Sequence, residues 1–95
     1  MPRKVIMTIK IFPDSDEVQL EKIISEIKQL FPDEQIINYA QEPIAYGINA
    51  LILNITAPEE EGVSQTYEDK IKAISGVGEV YIENVRRFVD VREPF

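Results

Sequence analysis

The chain has 95 residues, 44% of them hydrophobic, with 17 acidic and 10 basic side chains, a net charge of −7, and neither histidine nor cysteine. Such a length predicts one domain over residues 1–95, while the missing residue types exclude disulfides, Cys or His nucleophiles and the usual zinc sites. The acidic balance argues against direct nucleic-acid binding, and with no apolar run near ~20 residues and no signal-peptide pattern at Met1-Pro2-Arg3-Lys4, a cytoplasmic protein without membrane attachment is expected.

The first run, KVIMTIKIF (Lys4 to Phe12), alternates Val5, Met7, Ile9 and Ile11 against Lys4, Ile6, Thr8 and Lys10. Period two with β-branched residues predicts a strand with one buried face. PDSDE breaks it, and Asp14, Ser15 or Asp16 is placed to cap the next element. From Val18 to Phe31, Leu20, Ile23, Ile24, Ile27, Leu30 and Phe31 recur at helical spacing, and Pro32 stops the helix. Glu17, Glu21, Lys22, Glu26 and Lys28 fill its remaining, solvated face.

QIINYAQE (Gln35 to Glu42) reads as a short strand, and INALILNITA (Ile48 to Ala57) as a stronger one. Between them EPIAYG forms a bend, with the unusual feature of an aromatic ring, Tyr46, beside Gly47. Two readings of that ring stand open: a lid folded back on the core, or a side chain held out for a partner. PEEEGVS (Pro58 to Ser64) is an acidic loop; three consecutive glutamates do not converge on a cation without help from elsewhere. A second helix comes next, capped by Ser64 or Thr66, with Tyr67, Ile71 and Ile74 on one stripe and Gly76 at its C-terminal cap. GVGEVYIENVRRF (Gly76 to Phe88) closes with a strand; its Gly-x-Gly precedes a strand and is a turn, not a phosphate loop. Residues 89–95 read as a tail or strand extension.

Strand, helix, strand, strand, helix, strand is the order of two right-handed βαβ units that interleave. The expected fold is therefore α+β, a ferredoxin-like split βαβ sandwich (βαββαβ): a four-stranded antiparallel sheet with two helices on one face. The open face would carry Thr8, Lys10, Asn54 and Glu83 mixed with Ile6, Ile52, Tyr81 and Val85.

Function has to come from sites, because this fold serves many. Glu68 and Asp69 are adjacent and point to different sides of a helix, so no acid–base pair is evident. RNA binding would need aromatic residues on the central strands, and Ile48 to Ala57 has none. A small-molecule-sensing regulatory domain stays open as the alternative, although FPDSDE lacks a glycine that would let a ligand approach the backbone.

Three stretches carry a resemblance: KVIMTIKIFPDSDEVQLEKI, EPIAYGINALIL and GVGEVYIENVRRF. Together they make the chain resemble archaeal translation elongation factor 1-beta from about Lys4 to Phe88. Family members carry Pro-Ile, then Ala or Gly, then Phe-Gly and a hydrophobic strand; Tyr46 here keeps the ring and adds a hydroxyl. The resemblance implies a guanine nucleotide exchange factor, not an enzyme, that needs no cofactor. Such a factor speeds GDP release from elongation factor 1-alpha, so that GTP rebinds during translation elongation. It implies that the loop aromatic packs into the partner near its nucleotide site, a role carried to Tyr46, with Pro43, Ile44, Ala45 and Gly47 shaping its loop. Eukaryotic relatives use a lysine near the C-terminus to disturb the magnesium site; here Arg86 and Arg87 lie nearby and are expected among the partner-binding residues with the hairpin, neither being assigned that lysine's role, and the tail VDVREPF extends further.

Overall fold

The computed structural model describes residues 4–15, 17–45 and 47–87. The predicted alternation forms strand β1 (Lys4–Pro13), with Val5, Met7, Ile9 and Ile11 buried. Helix α1 (Leu20–Leu30) seats Leu20, Ile23 and Ile27 in the core, and Phe31 is buried just beyond it. It is shorter than the periodic run because Gln19 is still extended and Val18 lies in the turn before it, its N–H bonded to the Ser15 carbonyl at 3.3 Å, and no side chain caps the helix. Ser15 instead accepts a hydrogen bond from the Glu17 N–H at 3.3 Å and closes the turn before the helix; Asp16 lies outside the described residues. Leu30, counted in the apolar stripe, is 42% exposed.

A 3-10 turn (Asp33–Gln35) leads to β2 (Ile36–Ala45), β3 (Ile48–Pro58), α2 (Val63–Lys72) and β4 (Val77–Arg87). All pairings are antiparallel, in the order β2-β3-β1-β4, and the ferredoxin-like βαββαβ topology is present as expected. The N-cap of α2 is Gly62, with φ +79°, rather than Ser64 or Thr66; the Thr66 hydroxyl donates back to the Gly62 carbonyl at 3.1 Å. Tyr67, Ile71 and Ile74 are buried as the stripe predicts. The α2 stripe meets α1 where the Tyr67 ring stacks on Phe31, with centroids 4.8 Å apart. Gly76, with φ +97°, stands three residues past the Ala73 C-cap and turns the chain into β4, so it serves the turn and not the cap.

Two of the departures from simple alternation bear on which face each residue takes. In β4 the register shifts between Thr8 and Ile9: Ile9 faces Ile82, yet Thr8 faces Asn84, leaving Glu83 as the extra residue. A one-residue shift exchanges the two faces of a strand. Val85 therefore lies opposite Met7, on the helix side, and not on the open face. The second feature is the length of β2, which continues through Glu42, Pro43 and Ala45 where a bend was expected. Proline is tolerated there because β2 is an edge strand. Apart from partly buried Ile36, every residue of β2 is exposed, so this strand hangs beside the core instead of forming part of it.

Candidate partner interface at the β2–β3 hairpin

The β2–β3 connection is a tight hairpin, with β2 ending at Ala45 and β3 starting at Ile48. Gly47 has φ +76°, a left-handed conformation that glycine adopts freely and that tight hairpin turns use. Pro43, Ile44, Ala45 and Gly47 are all exposed. Tyr46 lies outside the described residues. The later of the two register shifts along β2 falls here: Pro43 faces Asn49 and Ala45 faces Ile48, so Ile44 is the extra residue, 44% exposed. Bulges bend a strand and re-aim its side chains. β1's last paired residue along β3 is Ile11, opposite Leu51, so the tip overhangs the sheet.

Arg86 and Arg87 do not join this site. They pair with Ile6 and Val5, which face Thr56 and Ala57 at the other end of β3. Thr56 lies eight positions along the chain from Ile48, and at ~3.3 Å per position that is roughly 25 Å. The two arginines also part from each other. Arg86 shares the open face with Ile6, whereas Arg87 lies on the helix side and pairs with Glu59 at 3.2 Å.

Side-chain pairings that sequence reasoning missed form a belt across the open face at the hairpin end. Glu42 accepts a hydrogen bond from the Lys10 ammonium at 2.7 Å. That ammonium lies 5.6 Å from the centre of the Phe12 ring. Phe12 meets Tyr81 edge to face at 5.6 Å, and the Tyr81 hydroxyl donates to Glu79 at 2.9 Å. The bond to Glu42 raises the Lys10 pKa above its ordinary value against the opposing effect of desolvation, and the charges of Glu42 and Glu83 add to the rise. Tyr81 is raised too, first by its hydrogen bond to Glu79. Closer to the sheet centre, Thr8 donates to Asn54 and Asn54 to Asn38, each at 2.7 Å. No sequence signal announces the cross-strand pairs, since they depend on the order in which the sheet sets its strands side by side.

Other candidates fare less well. Among the described residues no three acidic side chains converge as a metal site would require. Glu68 and Asp69 both accept from the Gln65 amide, at 3.4 and 2.8 Å, so they share a partner on the α2 surface rather than diverging. A shallow cleft of about 240 Å³ between the β1–α1 turn and the hairpin root is lined by Ser15, Gln19, Glu21, Gln41 and Asn49 among others. Its lining is mostly polar, whereas ligand pockets are mainly apolar. No described helix is long and apolar enough to cross a membrane.

Residues 6–88 match the family model described as the EF-1 guanine nucleotide exchange domain. The chain belongs to that family. An elongation factor 1-beta of Ignicoccus hospitalis is 38% identical over 86 residues, spanning 88% of this chain and 92% of that protein. Elongation factor 1-beta of Saccharolobus solfataricus is 40% identical over 85 residues, spanning 87% and 93%. The exchange-domain match includes the whole hairpin and both arginines.

Proposed function

We propose that this chain is the guanine nucleotide exchange factor of elongation factor 1-alpha in translation elongation, and that the β2–β3 hairpin is its main contact. The match of residues 6–88 to the exchange domain carries this reading. The exposed hairpin of Pro43, Ile44, Ala45 and Gly47 supports the choice of contact. Tyr46 is the anchor of that contact. Arg86 supplies a second one, which lies too far away to enter the same pocket.

The mechanism is linkage. A factor that binds the nucleotide-free GTPase more tightly than the loaded one lowers nucleotide affinity by the same ratio. Nucleotide and magnesium hold the GTPase switch segments in order, and a factor that binds their distorted arrangement loosens that hold. The factor acts by binding and makes no bond, so the excess of GTP over GDP sets the direction.

The test is release of fluorescent GDP from the cognate elongation factor 1-alpha with catalytic amounts of this protein. Faster release is expected; release unchanged at micromolar concentration ends the proposal. Tyr46→Ala is expected to cost the fold less than about 1 kcal/mol, as at a surface position. The same change should slow exchange by about thirtyfold, the equivalent of roughly 2 kcal/mol at an interface hot spot. Tyr46→Phe keeps most activity. A loss of about 3 kcal/mol with normal exchange per folded molecule would make the ring a lid on the core.

A further inference from the structure

β2 buries almost nothing, yet it carries one arm of the hairpin. A two-stranded ribbon beyond the body of a sheet is marginally ordered by itself. Its direction is therefore set by whatever ties its root. The β3 ladder joins the two arms to each other, and beyond Leu51, among the described residues, no β1 residue pairs with β3 to tie the ribbon to the sheet.

The Lys10–Glu42 pair is placed to fix that direction. Lys10 lies opposite Ile52 and Glu42 opposite Ala50, so the pair crosses over β3 and links β2 directly to β1. Alternation puts Ala50 on the open face, yet it is fully buried, so this stretch of β3 is covered. Glu42 immediately precedes Pro43 and the Ile44 register shift, the point at which the ribbon bends. Through Phe12 and Tyr81 the same ammonium is backed by the far edge strand.

We propose that Lys10 and Glu42 are positioning residues for nucleotide exchange: their ion pair holds the β2–β3 hairpin at the angle in which it meets the GTPase. The inference rests on the hairpin contact proposed above. Its size is bounded. An exposed pair shifts an equilibrium by no more than about fivefold, so breaking it lowers exchange by about two- to fivefold. The loss falls on the apparent affinity for the GTPase, since a smaller share of molecules holds the competent angle.

Lys10→Met, Glu42→Gln, the double variant and Lys10→Arg test it, each assayed for GDP release. Residual dipolar couplings of the Gly47 and Ile48 amides against those of β1 report the hairpin angle in the absence of the GTPase. Both single variants are expected to lose about two- to fivefold in kcat/KM at unchanged kcat, and the double variant no more than either. Lys10→Arg is expected to retain wild-type exchange, and the couplings to change in the first three variants only. A loss confined to Lys10→Met, or losses that multiply in the double variant, would mean direct contacts with the GTPase and overturn the proposal. Unchanged couplings would overturn it as well. If the wild-type protein does not stimulate release at all, the exchange reading fails, while the couplings still decide whether the pair sets the angle.

Discussion

Gly47 and Gly62 offer a matched pair of perturbations. Their φ angles are +76° and +79°, and a Cβ added at either would meet no atom within 4 Å. Steric crowding therefore contributes nothing at either site, and the cost of Gly→Ala is conformational. Holding alanine in the left-handed region costs about 1–2 kcal/mol. The reduced freedom of the unfolded chain offsets about 0.4–1 kcal/mol of that. The net is about 1 kcal/mol, a fall in Tm of roughly 4–8 °C for a domain of this size. Gly62 is also the α2 N-cap, where alanine is a poorer choice than glycine, so Gly62→Ala is expected to lose slightly more. Asn, which tolerates this conformation, is expected to restore most of the stability at both positions.

The two variants separate in function. Gly47→Ala relieves its strain by turning the hairpin tip, so exchange per folded molecule should fall. Gly62→Ala strains a turn at the opposite end of β3 and should leave exchange near wild type. Urea unfolding gives the stabilities, and stopped-flow GDP release gives the exchange rates. A Gly47→Ala loss of about 3 kcal/mol or more, the size of a core truncation, would mean that the tip is packed rather than open. Equal loss of exchange in both variants would remove any special role for the hairpin.

Gly78→Ala should be worse than either despite an ordinary φ, because its Cβ would stand 3.0 Å from the Pro13 carbonyl oxygen and 3.1 Å from the Asp14 Cα; backbone cannot step aside, and about 1–3 kcal/mol of overpacking is expected in urea melts. In nitrogen-detected NMR titration, Lys10 should lose its proton at a higher pH than an ordinary lysine, and Glu42→Gln should remove most of that rise. Because the folded-state pKa is raised, the pair's stabilisation is complete below the ordinary lysine value and disappears as pH climbs through the raised one. Residues 59–72 carry Glu59, Glu60, Glu61, Glu68 and Asp69 against Lys70 and Lys72; if this acidity steers encounter, association with elongation factor 1-alpha slows as salt rises, and a rate flat in salt would make the charge merely solubilising.

Periodicity made most of the fold legible. β1 and β3 each bury one face, so alternation marks them, and the stripes of both helices end in the core. Edge strands lack that signal. β2 buries no complete face, so its extension through Pro43 and Ala45 looked like a bend, and its register shifts have no residue signature. Val85 was misplaced for the same reason: counting by twos from Tyr81 cannot detect that Glu83 is an extra residue. Lys10 and Glu42 stand 32 residues apart in the chain, and only the β2-β3-β1 order brings them together. Arg86 and Arg87 show the reverse case, neighbours in sequence that the sheet assigns to opposite faces. Resemblance selected the hairpin and the arginines as one site because both lie in shared motifs, but motifs carry no distance. With roughly 25 Å between them along β3, a GTPase engaged by both must be touched in two places. Substitutions at the two ends are then expected to add in free energy, as they do for separated sites. A large coupling between Ile44→Ala and Arg86→Ala would mean instead that the GTPase bends to bring both ends onto one responsive element.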